Sequence, residues 1–102
     1  ETGKRRALRY LERLMDGNFL AIRSEGCAVA GLLSVACGRG HAYVQETLKP
    51  WDVAAVGLLI QAAGGTVTGM DGTPWHPFRH DILASNGMFH PLLLKLLDGW
   101  QP

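Results

Sequence analysis

Long hydrophobic runs are missing from this 102-residue sequence. No apolar stretch reaches the roughly 18 residues that suggest a membrane span. The basic N-terminal stretch is followed by no signal-type apolar core, so the expected compartment is the cytoplasm. Cysteine is scarce: Cys27 and Cys37 are the whole thiol inventory. On one helix, ten residues apart, they would sit ~15 Å from each other, too far for a disulfide. Reduced, buried thiols are therefore expected. No Cys-x-x-Cys or Cys/His cluster exists, which leaves cysteine-based metal binding unsupported. Charge is also thin, at 19% of residues, so other protein is expected to cover more of the surface than usual. The net charge of +1 gives no strong field to attract nucleic acid. A Gly-x-Ser-x-Gly elbow and a Gly-x-x-x-x-Gly-Lys loop are both absent, which removes support for serine-nucleophile chemistry and P-loop hydrolysis. Repeats, low-complexity tracts and linkers are absent too, so residues 1–102 read as a single domain.

What is present alternates between helix and strand patterns. Residues 4–15 place Ala7, Leu8, Leu11, Leu14 and Met15 on one helical stripe, with Lys4, Arg5, Arg6, Arg9 and Arg13 on the polar face. Asp16-Gly17-Asn18 is a stop signal. Residues 19–23 read as a short strand. Residues 26–37 are nearly all small or apolar. Their length and alanine content favour a buried helix packed closely on a neighbour, and Gly38 supplies its stop. Residues 42–45 read as a strand. Lys49-Pro50-Trp51-Asp52 opens a helix, because proline suits the first helical position. Val53, Val56, Leu59, Ile60 and Ala63 continue its apolar face up to Gly64-Gly65. Strands follow at 66–70 and 81–85 around an Asp71-Gly72 turn, and a leucine-rich helix closes the chain at 91–97. This alternation argues an α/β layer structure.

Among side chains able to do chemistry, Asp52 stands out. It falls in the first turn of a helix, where the partial positive charge favours an ionised carboxylate. Trp51 beside it can bury a large ring and hold the turn rigid. A fixed carboxylate at a pocket edge suits magnesium, which takes one or two carboxylates and keeps its waters. An ordinary helix-start acid is the plainer explanation from spacing alone. His76 and His80 have the i, i+4 spacing of helical zinc ligands, but Pro74 and Pro77 make them a solvated loop pair. His41 and His90 stand alone, with no visible partner. The arginine-rich first helix could touch phosphates, although a solvated face explains it as well.

Lys49-Pro50-Trp51-Asp52-Val53-Ala54-Ala55, followed by Ala62-Ala63-Gly64-Gly65, resembles the C-terminal signature of the inositol monophosphatase family. Arg23-Ser24-Glu25-Gly26-Cys27-Ala28 is similar to that family's Arg-x-x-Gly-Ser-Ala segment. Gly72-Thr73-Pro74-Trp75 and Asp81-Ile82-Leu83-Ala84-Ser85-Asn86 resemble its closing hairpin and last strand. The resemblance implies a layered α/β sandwich, a mixed sheet with helices on both faces. It implies a magnesium-dependent phosphomonoesterase, with Asp52 as a metal ligand. It places Gly26, Cys27 and Ala28 against the alcohol portion of a small phosphorylated substrate. Gln45 stands where the family often has an acid that binds substrate hydroxyls. Inositol monophosphates, histidinol phosphate, sugar phosphates or a 3′-phosphorylated nucleotide are the substrates it suggests. The family's metal-binding glutamate and its Asp-Pro-Ile/Leu-Asp-Gly-Thr motif do not occur here. The chain is therefore expected to be the C-terminal half of such a phosphatase, inactive alone, with the N-terminal half as partner and a homodimer when complete. The alternative is a non-catalytic binding or assembly module.

Overall fold

The computed structural model describes residues 3–17, 28–46 and 48–98. The elements run α1 (Gly3–Met15), α2 (Ala28–Ala36), β1 (Ala42–Gln45), α3 (Pro50–Ala62), β2 (Thr66–Thr68), β3 (Ile82–Ser85) and α4 (His90–Leu96). This is the expected order. The strand expected at 19–23 lies outside the described residues. β2 is shorter than the expected 66–70, because the chain turns at Met70 to enter the hairpin connection.

The sheet has three strands in the order β1-β3-β2. Both flanking strands pair antiparallel with β3, through Val44↔Leu83 on one side and Val67↔Ala84 on the other. β1 and β2 thus run the same way, joined by α3, with β3 inserted between them as in a split β-α-β unit. Side chains of a strand alternate between faces. Ile82 and Ala84 accordingly join Leu32 and Val35 of α2 and Val53, Val56 and Ile60 of α3. Leu83 points the other way, into a second cluster with Leu14 of α1, Met70, Leu93 of α4 and Leu97. Helices therefore cover both faces of the sheet. β3 is buried along its whole length, since it is central and sandwiched.

Helix boundaries follow their local chemistry. Lys49 is the N-cap of α3 and Pro50 its first residue. The Asp52 Oδ2 accepts the Lys49 N–H at 3.1 Å. α2 ends in a tight reversal in which the Arg39 and Gly40 N–H groups both donate to the Ser34 carbonyl, at 2.8 and 2.9 Å. Close packing explains a glycine inside each of these two helices. Tyr43 lies against Gly31, where an added Cβ would stand 2.2 Å from a ring carbon, and Trp75 lies against Gly57, where it would stand 2.4 Å away. Trp75 thereby draws Gly57 into the buried face of α3, and Leu59 is left exposed.

Three expectations are corrected. The Leu8, Leu11 and Met15 stripe of α1 faces outward; the helix buries Leu14 instead, with Tyr10 partly covered beside it. Tethers from the polar face fix this rotation. The Arg6 guanidinium donates to Glu46 Oε2 at 2.7 and 3.1 Å, and Arg13 donates to the Asp98 carbonyl. Part of the basic cluster is therefore engaged rather than solvated. Cys37 is a free thiol but exposed, because it falls in the turn just past α2.

His90 is the third correction. It is 4% exposed and lies between two hydroxyls. Ser85 Oγ is 2.7 Å from Nδ1 and Thr68 Oγ1 is 2.9 Å from Nε2. The Thr68 hydroxyl donates to the Gly69 carbonyl at 2.7 Å, so it accepts from Nε2–H. That leaves Nδ1 to accept from Ser85, whose oxygen also takes the Gly87 N–H at 3.0 Å. The neutral ring satisfies every partner and ties α4 to β2 and β3. Burial pushes its pKa below the ordinary value of 6.5. The unfolded chain then binds the proton more readily than the folded one. Stability is full above the unfolded value and is lost as pH falls through the folded one. Urea unfolding of the wild type should weaken more steeply below about pH 6.5 than unfolding of His90→Gln. Parallel pH profiles would refute the assignment.

Candidate metal and substrate site

Asp52 sits at the N-terminal end of α3, the end carrying partial positive charge. Its Oδ2 is held by the Lys49 N–H, and the Asp52 N–H in turn donates to the Lys49 carbonyl at 2.9 Å. The carboxylate is thus oriented by the backbone of its own helix entrance. It is partly buried, and among the described residues Oδ1 has no hydrogen-bond or ion-pair partner. Among the described residues no arginine neutralises it. Trp51 does not cover it: the indole is 79% exposed, contrary to the expected buried ring. Trp51 faces outward, on the side of α3 that also carries the exposed Leu58 and Leu59.

Gln45 closes β1 and is partly buried. Its side-chain oxygen accepts a hydrogen bond from the Tyr43 phenol. Ala28 opens α2 and packs, with Val29 and Tyr43, against the cluster between the helices and the sheet. Gln45 thus meets Tyr43 through that hydrogen bond, and Ala28 packs on the same cluster as the Tyr43 ring. No hydrogen bond among the described residues joins either one to Asp52. Gly26 and Cys27 lie outside the described residues. Sequence reading missed Tyr43, although residues two apart on a strand share a face and Gln45 already pointed to it.

The adjacent Glu46 is held in the ion pair with Arg6. Tyr10 lies near it, its phenol pushed above the usual range by burial and then by the Glu46 charge. Among the described residues no three His, Cys, Asp or Glu side chains gather as a metal cluster. The donor set among the described residues therefore fits one carboxylate ligand of a magnesium site rather than a whole one. His76 and His80 are exposed loop residues, as expected. A cavity of about 160 Å³ lies at the far end of α3, lined by Val35, Ile60, Gly64 and Asn86 among others. It includes none of the candidate residues.

The sequence profile of the inositol monophosphatase family matches residues 1–100. The chain belongs to that family. Its relatives include the chloroplast phosphatase IMPL1 of Arabidopsis thaliana, 43% identical over 72% of this chain and 20% of the relative. An inositol-1-monophosphatase of Synechocystis is 38% identical over 86% of this chain and 29% of the relative. Among solved structures, the inositol monophosphatase of Anabaena superposes with a TM-score of 0.78 at 36% identity, covering 95% of this chain and 37% of that one. The suhB extragenic suppressor protein of Bartonella henselae reaches 0.86 at 30% identity, covering 97% and 38%. The α/β fold is thereby that of inositol monophosphatases. The chain spans between a fifth and two fifths of the length of these relatives. No helix among the described residues is long and apolar enough to cross a membrane.

Proposed function

We propose that this chain supplies the C-terminal part of the active site of a cytoplasmic, magnesium-dependent phosphomonoesterase. Asp52 is one ligand of the magnesium, and Gly26, Cys27, Ala28 and Gln45 line the pocket for the substrate's alcohol portion. The observation that carries this reading is the Asp52 carboxylate, fixed by the α3 entrance with one oxygen left open, in a chain of this family. When bound, magnesium supplies charge for the phosphate oxygens and an activated water. Asp52 contributes negative charge and fixed orientation; the pocket residues orient the ester. Nucleic acid is not the expected partner. The substrate class is that of small phosphate esters: inositol monophosphates, histidinol phosphate, sugar phosphates or a 3′-phosphorylated nucleotide.

An N-terminal half is the proposed partner, and a homodimer the proposed complete form. Two exposed apolar stripes support a covering partner: Leu8, Leu11 and Met15 on α1, and Trp51, Leu58 and Leu59 on α3. Large contiguous apolar surface is uncommon on a protein that stays alone. The same stripes suit the second reading, a non-catalytic assembly module. One comparison separates the two. The 102-residue chain alone should release no phosphate from inositol 1-phosphate in magnesium, and adding a family N-terminal half should restore turnover. Binding of that half without turnover on any of the esters above would favour the module. Turnover by the chain alone would contradict the proposed division of the site.

A further inference from the structure

We propose that the cavity at the shared end of α2 and α3 binds a small primary alkylammonium ion. Val35 and Ile60, both buried, form its apolar floor. Ala36 and Gly38 bring the end of α2 to its rim, and Ala63, Gly64 and Gly65 bring the end of α3. The length of α3, about 16 Å, separates it from Asp52.

The C-terminal end of a helix carries about half a negative charge. Two such ends meet at this one cavity. Neither helix has a basic residue in its last turn. Residues 28–36 and 53–62 hold no charged side chain at all. Arg39, just past α2, is exposed and does not line the cavity. The rim is also short of donors, because its main-chain N–H groups are spent. Gly38 donates to the Val35 carbonyl at 3.2 Å and Ala63 to that of Leu59 at 2.9 Å. Gly64 donates to the Gln61 carbonyl at 3.1 Å and Gly65 to that of Ile60 at 2.8 Å. The carbonyls of Ala36 and Ala63 take no hydrogen bond among the described residues. They belong to the end carbonyls that a helix leaves unpaired. Asn86, also at the rim, spends its side-chain oxygen on the Met88 N–H at 3.1 Å, so the acceptors on offer are main-chain ones.

An ammonium group brings three donors and a full positive charge to these acceptors. A magnesium-type ion would need an octahedral set of oxygens, more than the rim leaves open. An anion would face two negative helix ends. The floor suits an alkyl stem. An apolar cavity of about 150 Å³ holds benzene, and this one, at about 160 Å³, has room for butylammonium.

The test follows amide signals of the 102-residue chain as butylammonium is added, with butanol as the neutral isostere and butanoate as the anion. Ala36, Gly38, Ala63 and Gly64 should shift saturably with butylammonium. Butanol should bind about 3–30-fold more weakly, the scale of two helix ends acting together. Butanoate should bind more weakly still, and added salt should narrow the gap. Ala63→Lys puts a tethered ammonium at the rim, so butylammonium binding should be lost while the urea midpoint holds or rises. Asn86→Asp keeps an acceptor for Met88 and adds charge, so affinity should rise about two- to fivefold. Equal affinity for butanol and butylammonium would overturn the proposal, leaving a plain apolar hollow. So would shifts centred on Asp52 or Asp71, or a folded Ala63→Lys chain that binds as before. The complete enzyme should respond at the same residues; silence there would overturn a free amine as the ligand.

Discussion

Asp52→Asn in the complete enzyme is expected to lower kcat by about 10²–10³-fold, the scale of removing one electrostatic stabiliser of a transferring phosphoryl group. The fold should hardly notice. Asparagine keeps an oxygen that can accept the Lys49 N–H, the one hydrogen bond the carboxylate makes among the described residues. Replacing one helix-entrance acceptor by another costs only a few tenths of a kcal/mol, roughly. Activity and stability therefore separate, which they would not do if Asp52 were only a helix-start acid. Thermal unfolding of the same variant supplies the control. The magnesium concentration for half-maximal rate should rise as well. A variant that unfolds like the wild type and retains its rate would remove Asp52 from the metal site.

The second large effect concerns folding. Arg79→Met is expected to destabilise the chain by about 2–4 kcal/mol, because it strands a buried carboxylate. Asp81 is 5% exposed. Its Oδ2 accepts the Met70 N–H at 2.7 Å, and both its oxygens take donors from Arg79 at 3.1 and 3.2 Å. The same guanidinium reaches Thr73 Oγ1 at 2.5 Å and Asp71 Oδ1 at 3.3 Å. It passes so close over Gly69 that a Cβ there would sit 2.2 Å from Nη2. One side chain thus staples the whole β2–β3 connection. Its pKa is raised, chiefly by the hydrogen bond to Asp81, and that of Asp71 is lowered, chiefly by the Thr73 hydroxyl. Arg79→Met combined with Asp81→Asn should recover more than about 1 kcal/mol of the loss, since the uncompensated charge is gone. Urea midpoints of the single and double variants decide it. A loss below about 0.5 kcal/mol in the single variant would reduce Arg79 to an ordinary surface ion pair.

Much of the architecture was legible in the residues. Proline at the start of α3, glycine after α2 and the apolar run of β3 are local signals, and each element they mark is present. The layered α/β arrangement with helices on both faces follows from their order. Rotation of the helices was not legible. On α1 the apolar stripe faces out, and Arg6 and Arg13 turn the helix by bonds to residues 40 and 85 positions away. Trp51 was expected inside, yet its helix is apolar on two sides, so composition alone could not choose which side to bury. His90 looked solitary because its partners, Ser85 and Thr68, come from the strands beneath it. At the site, the helix-start placement of Asp52 could be read from Lys49-Pro50-Trp51-Asp52. The Tyr43 contact with Gln45 could not be read directly, since it depends on the ring settling over Gly31 from another element.

Manganese in place of magnesium tests the metal claim most directly, through paramagnetic broadening of amide signals in the 102-residue chain. The expected result is that the amides of residues 51–53 broaden first as manganese is added, and that Asp52→Asn abolishes this selectivity. Broadening that begins around Asp71 or Asp98 and is indifferent to Asp52→Asn would contradict the account.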